Sequence, residues 1–249
     1  MARDGTMEID RAIKALSLIL SYPTPELQAA APEIAAAIAA DGRFGEARRS
    51  ALAALLEGFA RADIYELQET YVGLFDRSRS LSLNLFEHVH GESRDRGGAM
   101  VSLVETYREA GFDPVSWELP DHLPVLLEFL ATQPFAQARE TLADAAHIFA
   151  ALSERLARRE SPYAAVFDAL LELSGERPDA GAVAELLQLP EDDPDDLEAL
   201  DRTWEEAEVV FGPDPEAGCP AAREVLARME APAHPAPTPA PGAPARAAE

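Results

Sequence analysis

Between Leu81 and Leu103 the chain reads LSLNLFEHVHGESRDRGGAMVSL, and two of its five histidines, His88 and His90, stand there among Glu87, Glu92, Arg94, Asp95 and Arg96. Helix packing alone does not require so many ionisable groups between apolar flanks. Glu87-x-x-His90 has the spacing with which helical bundles hold di-iron centres, but such a site needs the pair twice and two further inward glutamates. No second Glu-x-x-His occurs in the chain. His88 and His90 would point in different directions on a helix, and no cysteine lies near to complete a zinc site. Glu118, Asp121 and His122 put three ionisable groups into five positions at the start of a predicted helix, where capping explains only Asp121. Asp121-His122 also reverses the order of the His-Asp pair of metal-dependent phosphohydrolases. A metal-dependent helical enzyme using Glu87, His90, Asp121 and His122 is therefore the minor reading. No Gly-x-Ser-x-Gly elbow and no phosphate-cradling glycine loop is present, so no catalytic set is complete. For Arg94, Asp95 and Arg96 the expectation is internal ion pairing; the alternative leaves one arginine fork for a carboxylate or phosphate.

These residues sit in a chain of 249 with 45 acidic and 21 basic side chains, a formal net charge of −24. Such a surface disfavours nucleic acid, which needs a concentrated basic face, and repels anionic lipid. It would speed the encounter with a basic peptide, or serve solubility alone. Cys219 is the only cysteine, which rules out an intrachain disulfide and fits a reducing compartment. No apolar run approaches the ~20 residues of a membrane span, and Asp4, Glu8 and Asp10 stand where a signal peptide would be basic. The expectation is a cytoplasmic protein with no direct membrane insertion.

The elements that must position the two clusters are helical. Ala and Leu dominate the apolar content, with little Thr, Ile or aromatic. Ile9, Ile13, Leu16 and Leu20 form the stripe of a first helix that stops near Tyr22-Pro23. Residues 25–40 and 47–60 give two more. Asp63 can cap a fourth, faced by Ile64, Leu67, Tyr71, Leu74 and Phe75. Leu81, Leu83 and Leu85 alternate but have no strand partner elsewhere, so 77–92 is expected as loop or short helix. Helix resumes from about Ser93, with Met100, Leu103, Val104 and Tyr107 inward and Gly111 as its stop. Asp121 starts another, tolerant of Pro124 in its first turn. Residues 142–158 read as one helix, Ser161-Pro162 opens the next, and 180–189 is short. The expectation is all-α, a single helical bundle domain of about eight to ten helices, with residues 1–189 as its main helical domain. An acidic linker and C-terminal helices follow over 190–230, with seven acids and no base between Pro190 and Asp201. Residues 231–249, with six prolines, are expected as a disordered Pro/Ala-rich tail.

Three blocks carry a family resemblance: Tyr71-Val72-Gly73-Leu74-Phe75-Asp76-Arg77, the run from Leu85 to Gly97, and Glu118-Leu119-Pro120-Asp121-His122-Leu123-Pro124. They closely resemble the NarJ-type nitrate reductase molybdenum cofactor assembly chaperones, within the wider group of redox-enzyme maturation chaperones. The similarity continues through Arg158 to Tyr163, Trp204-Glu205-Glu206 and Gly218-Cys219, and covers nearly all but the proline tail. It implies a helical, non-enzymatic chaperone that binds the N-terminal peptide of the nitrate reductase α subunit. It also implies no stably bound cofactor: the protein keeps the apoenzyme competent for molybdenum cofactor insertion and membrane assembly. A chaperone of another molybdenum oxidoreductase, of the dimethyl sulfoxide or trimethylamine N-oxide reductase type, is the nearest alternative. The peptide-binding set expected is Tyr71, Phe75, Asp76, Leu85, Phe86, Glu87, His88, His90, Arg94, Arg96, Glu118, Asp121, His122 and Leu123, with no metal ligand and no catalytic residue. Within it Tyr71, Phe75, Leu85, Phe86 and Leu123 would form an apolar groove for a peptide helix, and the histidines would make affinity depend on pH.

Overall fold

The computed structural model describes residues 9–90, 95–114 and 118–188, except the side chain of His90. These fall within one compact unit, Met1–Asp196. Arg94, Ser93, Cys219, Trp204, the acidic linker and the proline tail lie outside the described residues.

Eleven α-helices run through the described residues: α1 (Arg11–Ile19), α2 (Pro25–Ala40), α3 (Glu46–Arg61), α4 (Ile64–Tyr71), α5 (Leu85–His90), α6 (Asp95–Glu109), α7 (Leu123–Ala131), α8 (Phe135–Asp144), α9 (Ala146–Arg158), α10 (Ala164–Ser174) and α11 (Ala180–Gln188). The all-α expectation holds among these residues. Asp10 starts α1 by accepting the Ala12 and Ile13 N–H groups, both at 3.1 Å, while its carboxylate is gripped at 2.7 and 2.8 Å by Arg43. Thr24 caps α2 through the Leu27 N–H at 3.2 Å, with Pro25 at the first helical position, where a missing N–H costs nothing.

Pairing follows the apolar stripes. α1 lies against α7, α2 against α3, and α9 against α10 and α11. Leu16, Leu20, Leu52, Leu127, Leu130, Phe149, Leu152, Phe167 and Leu170 are fully buried between them, each contributing roughly 1.5–3 kcal/mol of transfer free energy.

Several details depart from the sequence expectation. Ile9, assigned to the first stripe, precedes α1 and is half exposed. The helix expected over 142–158 is two helices broken at Ala145, whose carbonyl accepts the Ile148 and Phe149 N–H groups and so starts α9 afresh. No glycine or proline marks that break. Ser161 does not cap α10 with its side chain: the helix begins at Ala164, and the Ser161 hydroxyl is buried without a hydrogen-bond partner. On α6 only Tyr107 is buried; Met100, Leu103 and Val104 are partly covered. The reason is that α6 meets α5 and the segment before α7 at its two ends and has little packed against its middle.

Candidate functional site

The leucine alternation has a partner after all, in residues 121–123. Leu85 N–H donates to the Asp121 carbonyl at 3.1 Å and Leu123 N–H to the Leu83 carbonyl at 2.8 Å, an isolated antiparallel bridge centred on Asn84 and His122. It is too short to show as a strand pattern, yet it buries Leu81, Leu83 and Leu85 together. The bridge joins two of the three sequence blocks.

Asp121 stands at the junction, 1% exposed. It does not cap its own helix: α7 begins after His122 with no side-chain cap. Its Oδ2 instead accepts the Phe86 N–H at 3.1 Å, in the first turn of α5. Burial raises the Asp121 pKa, against the pull of the Phe86 N–H and the Arg96 charge. Its Oδ1 has no hydrogen-bond partner. Arg96 Nη2, from the first turn of α6, lies 3.0 Å from Glu87 Oε1 and 3.9 Å from Asp121 Oδ2. Internal pairing thus holds for Arg96. Burial alone would raise the Glu87 pKa, but the Ser82 hydroxyl and the Arg96 guanidinium outweigh it, and Glu87 titrates below the ordinary range.

The histidines are placed differently. His88 Nε2 is 2.8 Å from the Ser82 carbonyl, so that nitrogen carries the proton and donates. Burial lowers its pKa. His122 is held below the ordinary value chiefly by burial, opposed by Glu118, Asp121 and Asp76. Its Nδ1 is 4.0 Å from Glu118 Oε2 and has no hydrogen bond. Asp76 is raised by burial and by Glu118.

The first block ends α4 in a π turn, Val72–Asp76, closed by Arg77 N–H to the Val72 carbonyl at 3.0 Å. Wide turns of this kind are frequent at functional sites. Here the turn seats Tyr71 and Phe75 in an aromatic ladder, Tyr22–Tyr71–Phe75–Tyr163, with centroids 5.1–5.6 Å apart and rings edge to face. The Tyr71 hydroxyl donates to the Leu20 carbonyl at 2.9 Å. Burial pushes the Tyr163 phenol up to about 12.

Four of the five residues assigned to an open groove, Tyr71, Phe75, Leu85 and Leu123, are therefore core residues in this conformation. Phe86 differs. With Leu85, Val89, Leu103 and Leu126 it lines a mostly apolar groove of about 270 Å³, with Asp121 on its wall and Thr141, Asp144, Ala145, His147 and Ile148 opposite. The α8–α9 side of that groove escaped the sequence reading, because the break at Ala145 carries no compositional signal. Arg155 also escaped it. Fully buried on α9, it donates to the Ser80 and Leu186 carbonyls, each at 2.6 Å, and so ties the segment leading into α5 to α11.

Among the described residues no three His, Cys, Asp or Glu side chains converge as metal ligands, and no helix is long and apolar enough to cross a membrane. What the arrangement offers is an apolar slot, suited to reversible binding of an amphipathic segment.

Residues 25–169 match the nitrate reductase delta subunit family. Over 200 residues the chain is 46% identical to the nitrate reductase molybdenum cofactor assembly chaperone NarJ of Escherichia coli (strain K12), covering 80% of this chain and 84% of that one. It is 39% identical over 207 residues to the probable nitrate reductase molybdenum cofactor assembly chaperone NarW of the same strain, covering 83% and 86%. A solved candidate redox enzyme maturation protein from Archaeoglobus fulgidus is similar at a TM-score of 0.49 and 24% identity, over 71% of this chain and 98% of that chain. The three blocks that fold into the α4–α5–α7 junction lie inside the family match, and the chain belongs to the NarJ-type nitrate reductase molybdenum cofactor assembly chaperones.

Proposed function

We propose that this protein is a chaperone dedicated to nitrate reductase, binding the N-terminal segment of the catalytic α subunit as a handle. It holds the apoenzyme open to molybdenum cofactor insertion, then lets it pass to membrane assembly. It works in the cytoplasm, binds no cofactor stably and performs no chemistry of its own.

The observation that carries this reading is the groove beside Phe86. It is apolar, it lies where the Leu85–Gly97 and Glu118–Pro124 blocks meet, and an acidic chain surrounds it. An amphipathic helix would seat its apolar side chains against Phe86, Val89, Leu103 and Ile148. Basic residues on that helix would be steered by the net charge of −24. The relatives' printed names support the client assignment. Of the wider set, Glu87, His88, Arg96 and His122 would act by positioning α5 and α6, and Asp76 and Glu118 by charge. Arg94 and His90 complete the proposed set.

Calorimetry of the full chain with a synthetic peptide of the α subunit N-terminal segment tests it. Saturable binding with a negative heat-capacity change is expected from apolar burial. Absence of binding, or equal binding of a scrambled peptide, would refute the groove assignment.

A further inference from the structure

Helix α6 is held by aromatic packing at one end and by a single arginine at the other. Near its C-terminus Tyr107 is buried, its hydroxyl donates to the Pro120 carbonyl at 2.8 Å, and its ring packs on Phe112 and Phe129. In its first turn the contacts to α5 and Asp121 run through the Arg96 guanidinium, to Glu87 and Asp121. Between these ends no residue of α6 is buried: Leu103 lies over the groove and Val101 faces solvent. Gly97 and Gly98 follow Arg96 with no atom of the described residues within 4 Å of where a Cβ would stand, so none of these packs tightly on those two positions. Arg96 Nε is buried without a hydrogen-bond partner, so this anchor is itself incompletely satisfied.

The two anchors differ in kind. Buried, hydrogen-bonded aromatic packing is costly to undo. The Arg96 contact is one side chain, 19% exposed against Glu87 at 24% and Asp121 at 0%, so it can be released as a unit, but only with its charges left unpaired or taken up by another partner. Leu103, the α6 wall of the groove, sits between them.

We propose that Arg96 is the latch of the groove. When it leaves Glu87 and Asp121, the N-terminal half of α6 swings away about Tyr107 and Leu103 moves off the slot, widening it between α5, α7 and the α8–α9 turn. This is a regulation of the binding site proposed above and rests on that reading for the identity of its occupant. The latch also couples the site to α5, because the carboxylate that Arg96 approaches is the one that caps the first turn of α5. Opening therefore loosens both walls that carry the Leu85–Gly97 block.

Hydrogen exchange of the full chain, read by mass spectrometry without any peptide, tests the latch. In Arg96→Ala, amides of residues 97–103 should exchange at least about tenfold faster than in the unaltered protein, with those of 107–112 unchanged. Arg96→Lys should fall between, since an ammonium keeps the charge and loses the planar fork. Glu87→Gln should accelerate the same residues, and the neutral dye Nile red should bind more brightly to all three variants. Unchanged exchange over 97–103 in both Arg96→Ala and Glu87→Gln would overturn the latch, and so would acceleration spread evenly over 85–131. Calorimetry with the α subunit peptide separates the two readings. If the variants open but no protein binds the peptide, the latch stands and the occupant falls. If the peptide binds while exchange over 97–103 does not move, the latch falls and the occupant stands.

Discussion

Asp121 caps a helix to which it does not belong. Its Oδ2 accepts the Phe86 N–H at 3.1 Å, 35 positions back in the chain, and its carbonyl accepts the Leu85 N–H at 3.1 Å. The helix that receives these bonds, α5, has six residues, far below the length at which a helix sustains itself in water. Its existence depends on the Glu118–Pro124 block, so two sequence motifs that look like separate sites are one structural unit.

Asp121→Ala should therefore cost about 1–3 kcal/mol, the penalty of stranding a buried N–H. Asp121→Asn keeps an acceptor and should lie within about 1 kcal/mol of the unaltered protein at neutral pH. The sign follows from the raised pKa. A carboxyl with a raised folded pKa contributes stability that is full below its unfolded value and is lost as pH rises through the folded value. At neutral pH the asparagine is spared that loss. Urea denaturation of both variants measures this, and equal destabilisation would show that charge, and not the acceptor, is what α5 needs.

Arg155 is the second joint. Arg155→Met removes the donors to the Ser80 and Leu186 carbonyls and should cost about 3 kcal/mol or more. Amides of α11 should lose hydrogen-exchange protection before those of α9, because α11 loses its side-chain tie to α9 while α9 keeps its packing against α10. Simultaneous loss of both helices would mean that α11 has no separate tie.

The helices were legible in the sequence because their stripes are long. Residues 25–40 match α2 end to end, and Asp63 caps α4 by accepting the Tyr65 N–H. What was hidden are long-range or unsignalled events. The Asn84–His122 bridge pairs segments of two or three residues, below any periodicity. Ala145 breaks a helix with a residue of high helix propensity. Arg155 falls on the apolar face of α9, seven positions after Ile148, and nothing in the sequence signals the two carbonyls that receive it there. The family resemblance implies a groove for the aromatic residues of the first block, whereas packing places Tyr71 and Phe75 in the core.

The pH response of stability has a defined direction. His88 and His122 are both held below the ordinary 6.5, chiefly by burial. A group with a lowered folded pKa contributes stability above its unfolded pKa and loses it as pH falls through the folded value. Stability should thus decline between about pH 6.5 and the lowered folded values. Asp76 and Asp121, raised, act in the opposite sense in a window that opens near 3.8. The comparison that isolates the histidines is the double variant His88→Gln, His122→Gln, whose urea midpoint should fall less over that range. An unchanged slope would show that neither ring gains a proton there.

The groove makes the sharpest demand on binding. Val89 lines it and is 55% exposed, so it can be changed without opening a core cavity. Val89→Asp places a charge where an apolar side chain of the client would sit. It should weaken the α subunit peptide at least about tenfold with a thermal midpoint near that of the unaltered protein. Tyr65 is the matched control: 76% exposed on α4 and outside the groove lining, it is a large apolar surface with no part in the slot. Tyr65→Ala should leave the peptide affinity within about twofold. Equal losses from both substitutions would mean that affinity follows exposed apolar area in general and not this groove. A loss confined to Tyr65 would move the binding face to α4, whose Tyr71 meets the half-exposed Tyr22 of the α1–α2 connection.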